Sequence, residues 1–269
     1  MNIIHLAYNL NSPEDTEAAK DHYERFYGMR YLRTRDRRGL LTMDLTDGTI
    51  AFALTHYKAN APQGEATAAG PAPSIHHIGF DVEEFEMRSE DVINAGYDLF
   101  SKPGQIPIKY RAPGGTVAEF APAPFFSTRA THKTLAPIKH IALRLATRAD
   151  VDAASTYYQD IWGFKTVGSR DRRGLYTQDL SDGNLAFALT VFEGDDQASV
   201  KSNKTARPPR IHHIGFEVDN FEDRVAEIKS LGYEQLCELG QIPFKYIAPG
   251  GTMAEFAPTG YFQNLGASA

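Results

Sequence analysis

The sequence predicts an α+β protein of four consecutive β-α-β-β-β modules, and three observations carry that expectation. Long stretches recur: Arg35–Thr55 returns as Arg170–Thr190, and Gly104–Pro122 returns as Gly240–Pro258. A repeat of this length marks a tandem duplication, with the halves joined near Phe125–Pro137. Each half then opens two apolar strands with the same grammar, IIHLAYNL and IHHIGFDV in the first, IKHIALRL and IHHIGFEV in the second. Each opening is followed by a helical stretch that a glycine stops, and then by further strand-like runs.

The elements follow in order. After the first strand, Ser12 and Pro13 stand where an N-cap and a first helical residue belong, with Glu14 and Asp15 in the first turn. This helix is expected to end near Tyr27, before Gly28. The runs MRYLRTR, GLLTMDL and TIAFALTHY alternate as strands, and DRRG and TDG read as hairpin turns. A linker rich in Ala, Pro and Gly (Ala59–Pro73) leads to the second module, with a strand at His76–Val82, a helix over Glu84–Ala95 stopped by Gly96, and a turn at Ala112–Gly115. The third module starts at Ile138, with a helix over Arg148–Trp162 stopped by Gly163. The fourth starts at Ile211, with Asn220 as the helix cap and Gly232 as the stop. A chain of 269 residues is long enough for two domains, each with its own core.

Composition excludes several partners. The net charge is −6 and basic residues are scattered, which argues against nucleic acid. No apolar run approaches the ~20 residues that span a bilayer, and the N-terminal residues lack the basic region and cleavage site of a signal peptide. Cys237 is the only cysteine, so no intrachain disulfide forms and a reducing cytoplasm fits. A small molecule is the expected partner, and self-association stays open.

One histidine recurs in the same register of all four opening strands: His5, His77, His140 and His213. Glu119 and Glu255 each follow the second histidine of a half by 42 positions, in the repeated APGGTVAEF and APGGTMAEF. Side chains alternate along a strand, so such residues can meet on one face. Two neutral imidazoles and a carboxylate suit a divalent first-row metal and leave coordination positions open. Iron(II), manganese(II) and zinc(II) all fit these donors. A single strand histidine is ordinarily a core residue; two matching sets of three favour metal. His76 and His212 should then face the other way. Arg37–Arg38 and Arg172–Arg173 read as solvated turns, with an anion clamp as the alternative, and Gln105 and Gln241 as turn residues, with donation to a substrate oxygen as the alternative.

At these residues the chain resembles the vicinal oxygen chelate superfamily of glyoxalase I, thiol transferases, bleomycin-resistance proteins and extradiol dioxygenases. The HIGF-type openings, the helix ending YYQDIWGF and the closing APGGTMAEF carry the likeness, and the four-module length is most similar to the extradiol dioxygenases. The resemblance implies two such domains in tandem, 1–125 and 136–265, each curling into a cup. It implies His5, His77 and Glu119 in one cup, and His140, His213 and Glu255 in the other, as metal ligands. Iron(II) is the favoured ion, with Mn(II), Zn(II) or Ni(II) as alternatives, and a dioxygenase acting on a small oxygenated substrate is the expected activity. A lyase, isomerase or thiol transferase is the alternative, and a ligand-sequestering protein a weaker one. Two departures stand out. Ala53 and Ala188 occupy the place of the fourth ligand of glyoxalase-like members. Lys109 and Lys245, with Tyr110 and Tyr246 beside them, replace the tyrosine that precedes the ligand glutamate in extradiol enzymes. These four residues are the candidate catalytic groups, the lysines being expected to face the cup.

Overall fold

The computed structural model describes residues 1–62, 66–67, 69–126, 134–172, 174–193, 208–238 and 240–264. Arg173 and most of the junction between the halves lie outside these residues.

The first module is built as its sequence directs. After β1 (His5–Leu10), the Ser12 hydroxyl caps α1 (Pro13–Tyr27) by accepting the Asp15 N–H at 3.0 Å, and Gly28 ends the helix in the left-handed conformation. β2 (Arg30–Arg37), β3 (Leu40–Thr46) and β4 (Ala51–Tyr57) form an antiparallel meander, and β4 lies parallel to β1. The second module contributes β5 (Ser74–Val82), α2 (Phe85–Asn94), β6 (Ile108–Arg111) and β7 (Val117–Pro122). The third contributes β8 (Ile138–Arg144), α3 (Arg148–Trp162), β9 (Lys165–Arg172), β10 (Leu175–Ser181) and β11 (Ala186–Phe192). The fourth contributes β12 (Arg210–Val218), α4 (Phe221–Ser230), β13 (Phe244–Ile247) and β14 (Met253–Pro258), followed by a short 3-10 turn at Phe262–Asn264.

Two local details differ from the expected grammar. In the second and fourth modules the strand after the helix shrinks to single bridges, Leu99 to Tyr110 and Gln235 to Tyr246. Asn220 does precede α4, but at φ 54° its side chain makes no capping bond. Among the described residues no helix is long and apolar enough to cross a membrane.

Antiparallel pairing of β1 with β5 unites the first two modules, and β8 with β12 unites the last two. The helices of the first and third modules reach across to the opposite half. Tyr27 of α1 stacks on Phe216 of β12 at 3.6 Å between ring centroids, and Trp162 of α3 stacks on Phe80 of β5 at 3.9 Å. The turn aspartates cross as well: Asp47 accepts the Ile138 N–H at 2.9 Å and Asp182 accepts the Ile3 N–H at 2.8 Å. Buried side chains of both halves thus form one continuous cluster. A separate core for each half is not what the packing shows.

This shared core also claims Tyr110 and Tyr246. Both are fully buried; Tyr246 hydrogen-bonds His22 and Tyr27 of α1 at 2.8 Å each, and Tyr110 hydrogen-bonds Tyr157 of α3. Strand alternation explains why: the adjacent Lys109 and Lys245 take the opposite face. The tyrosines, open in the sequence between core packing and cup lining, are therefore core residues that fasten the halves together, and their candidacy as catalytic groups is corrected.

Burial, reinforced by Arg25, lowers the His22 pKa from 6.5 to about 3. The unfolded chain thus binds a proton below pH ~6.5 that the native protein refuses, so His22 supports stability above that pH and costs it as the pH falls. Between pH 6.5 and the native value, the loss is about 1.4 kcal/mol per pH unit. Chemical denaturation of metal-free protein should show wild type losing about 2 kcal/mol more than His22→Gln between pH 7 and pH 5. Equal losses would remove His22 from the acid response.

Candidate metal centres

Each centre assembles on three adjacent strands. In the first half His5, Gly79 and Glu119 lie in one row across β1, β5 and β7, with His77 two residues before Gly79. The second half repeats the row with His140, Gly215 and Glu255, and with His213. The glycines make room for the row. A Cβ on Gly79 would lie 2.9 Å from His5 Cβ and 3.4 Å from Glu119 Cγ, and one on Gly215 would lie 2.8 Å from His140 Cβ. Gly79→Ala should therefore push His5 and Glu119 apart and weaken zinc binding at the first centre by about tenfold or more, with the fold retained. Competition with a chromophoric chelator reads this; unchanged affinity would mean the row tolerates the methyl group.

Both imidazoles of each set turn Nε2 towards one carboxylate. His77 Nε2 lies 3.0 Å and His5 Nε2 3.5 Å from Glu119 Oε1. His213 Nε2 lies 3.3 Å from Glu255 Oε2 and His140 Nε2 3.6 Å from Glu255 Oε1. The donor atoms of each set all fall within 4.8 Å of one another, and every one of the six residues is buried. Lys109 Nζ sits 3.3 Å from Glu119 Oε2, and Lys245 Nζ sits 2.8 Å from Glu255 Oε2. The latter contact lacks hydrogen-bond geometry, leaving Glu255 Oε2 and His213 Nε2 buried without a hydrogen-bond partner.

Burial keeps the imidazoles neutral, lowering His77 to about 4 and His140 to about 3, with His5 and His213 shifted the same way. Burial pushes Glu119 and Glu255 up, but the neighbouring histidine and lysine outweigh it and hold both carboxyls well below the usual range. With the imidazoles neutral, the lysine is the charge that matters. Neutral nitrogens beside an ionised oxygen are what a divalent ion requires of its ligands. The donor set and its unpartnered buried atoms fit such an ion.

Further contacts hold the rings. His5 Nδ1 donates to the Ala51 carbonyl at 2.9 Å, which leaves Nε2 free to coordinate. His77 Nδ1 meets His76 Nδ1 at 2.9 Å, and His213 Nδ1 meets His212 Nδ1 at 2.8 Å. The register shifts at these histidines, between Ala7 and Tyr8 on the partner strand of β5 and between Ile211 and His213 on β12. A bulge of this kind breaks strict alternation, so His76 and His212 support the candidate ligands and do not face away from them. Phe126 stacks on His5 at 4.6 Å and Phe262 on His140 at 4.9 Å. Their N–H groups donate to Asp81 and Glu217, both at 2.9 Å. Sequence reasoning missed these rings, although an aromatic residue follows each glutamate by seven positions in both halves.

The first cup encloses a cavity of about 660 Å³ that contains the His5, His77 and Glu119 side chains, Lys109, Thr42 and Ala53. Ala53 supplies no donor where a fourth ligand would fall. Gln105 lies at the rim and its side chain accepts the Lys102 N–H at 3.1 Å, as expected of a turn residue; Gln241 does the same for Glu238. Arg37 and Arg38 also line this cavity, and Arg37 belongs to β2. Both are exposed and Arg38 sits in the hairpin turn at φ 54°, as the solvated-turn reading expects, while their side chains also border the cavity.

Residues 137–256 match the family model of the Glyoxalase/Bleomycin resistance protein/Dioxygenase superfamily. That match lies within the C-terminal half. The N-terminal half repeats its strand openings and its closing APGGT-AEF stretch. A triple mutant of 4-hydroxymandelate synthase from Streptomyces coelicolor superposes with a TM-score of 0.70 at 15% identity, covering 95% of this chain and 91% of its own. The halotolerant catechol dioxygenase BphC superposes with a TM-score of 0.59 at 12% identity, covering 95% and 86%. A xylose isomerase-like TIM barrel/4-hydroxyphenylpyruvate dioxygenase fusion protein gives a TM-score of 0.59 at 17% identity over 87% of this chain and 39% of the fusion. No curated protein matches the chain in sequence. These likenesses establish the fold, two vicinal oxygen chelate units in tandem.

Proposed function

We propose that the chain is a metal-dependent dioxygenase of the vicinal oxygen chelate type, with domains 1–125 and 136–265 each holding one divalent ion, iron(II) by preference. His5, His77 and Glu119 would hold one ion, and His140, His213 and Glu255 the other. The convergence of two neutral imidazoles on one buried carboxylate, present twice, carries the reading. When bound, the metal supplies Lewis acidity and open positions for two adjacent substrate oxygens and for dioxygen. The chain's own residues do the rest. The strand rows hold the donors in place, and the stacked Phe126 and Phe262 rings shield His5 and His140. Lys109 and Lys245, beside the ligand glutamates, would balance their charge and exchange a proton with a substrate hydroxyl. Ala53 weighs against the four-ligand glyoxalase arrangement. The single cysteine favours a cytoplasmic setting.

Oxygen consumption by iron-loaded protein tests this reading. A panel of catechols and 2-oxo acids should include a compound that drives uptake, and Glu119→Gln combined with Glu255→Gln should abolish it. Intact metal content with no uptake across the panel would replace the dioxygenase by a lyase, isomerase or thiol transferase.

A further inference from the structure

The first cup carries a concentration of positive charge that the metal ligands do not explain. On β2 the arginines at 33, 35 and 37 alternate with Thr34 and Asp36, so they share one face of the strand. The register carries that face inward: Arg33 pairs with Asp44 on β3, Asp44 with Ala53 on β4, Ala53 with Ala7 on β1, and Ala7 with His77 on β5. The arginine face is therefore the face that bears the histidines. All three arginines, with Arg38 and Lys109, line the cavity, whose lining carboxylates are Asp44 and Glu119.

The carboxylates are already engaged. Asp44 accepts Arg35 through two bonds of 2.8 and 2.7 Å and Arg33 through one of 2.9 Å, and Glu119 faces Lys109. Arg37 and Arg38 have no carboxylate partner among the described residues. The chain as a whole carries a net charge of −6, so this is a local reversal of sign, with Arg37 and Arg38 both exposed to solvent beside the cavity, an arrangement that attracts an anion. Leu40, Phe125 and Phe126 add apolar wall to the same cavity.

We infer that the N-terminal cup takes a small organic carboxylate, its charge held by Arg37 and Arg38, its apolar body against Leu40, Phe125 and Phe126, and its oxygen pair towards Glu119 and the two histidines. The position of the oxygen pair rests on the metal reading above; the preference for an anion does not. The second half repeats the pair as Arg172–Arg173 and, among these arginines, departs from the first only at Gly168, where the repeat places Arg33.

Two probes that differ by one carboxylate test the inference: 3,4-dihydroxybenzoate and catechol, titrated calorimetrically without oxygen into zinc-loaded full-length protein. Wild type should bind 3,4-dihydroxybenzoate more tightly. Arg37→Gln combined with Arg38→Gln should weaken that compound by about tenfold at one site, as expected for lost charge-assisted hydrogen bonds, and leave catechol within about twofold. Arg30→Gln, on the same strand but outside the cavity, should change neither. Equal weakening of both probes, or no weakening of either, overturns the inference. Zinc content is measured on the same samples. Protein that takes up no zinc sinks the metal reading alone, and the two probes on metal-free protein then decide the anion preference: a carboxylate-dependent affinity lost in the double variant sustains it, and its absence ends it.

Discussion

Protein purified without oxygen and loaded with divalent metal holds two ions per chain, and His77→Ala and His213→Ala each hold one. The physical argument is the same in both halves. Burial keeps the imidazoles neutral across the physiological range, so an ion has no protons to displace from them. The glutamate is ionised and already within 3.0–3.6 Å of both Nε2 atoms, so little rearrangement is needed to coordinate. Loss of a direct ligand should cost more than the roughly 10- to 100-fold typical of a supporting contact. The two centres should differ in order of filling. His5 is braced by the Ala51 carbonyl, whereas His140 Nδ1 has no hydrogen-bond partner, so the first centre should keep its ion to lower free metal. Elemental analysis under graded chelator reads both effects. One ion lost only with His213→Ala would make the N-terminal centre a relic of the duplication. No ion under any loading would leave a ligand-sequestering protein.

Trp162→Ala should destabilise the whole chain, not one half of it. The indole is 1% exposed, stacks on Phe80 across the junction at 3.9 Å, and donates Nε1–H to the Tyr157 hydroxyl at 2.8 Å. Truncating a buried indole costs about 3–5 kcal/mol, equivalent to a Tm drop of about 10 °C at this chain length. Because the core is continuous, calorimetry should show one transition in both proteins, displaced as a unit. Two transitions, with only one displaced, would mean that the halves are energetically separate.

Much of the candidate site was legible in the chain because the duplication repeats each signal. A lone histidine on a strand says little, but His5, His77, His140 and His213 occupy one register of four strands, and each glutamate follows at one spacing. Other residues were misplaced because facing depends on pairing. Tyr110 and Lys109 are neighbours on one strand, so only one can line the cup, and the long-range contact with Tyr157 gives the inner place to the lysine. Alternation sends His76 to the far face, and a bulge on β5 brings it back to His77. The alternating arginines of β2 carried a period-two signal, but only the register through β3, β4 and β1 aims them at His77.

The sequence by itself determined the four-module plan, the helix caps at Ser12 and Gly28, and the candidate donor sets, because alternation, capping and turn chemistry act over a few residues. The tertiary structure alone decided that α1 and α3 pack on the opposite half, that the tyrosines join the halves, and that arginines line the first cup. Those outcomes depend on contacts between residues far apart in the chain, from 47 positions for Tyr110 and Tyr157 to 219 for Tyr27 and Tyr246, where burial of apolar surface selects among arrangements that local chemistry leaves equal.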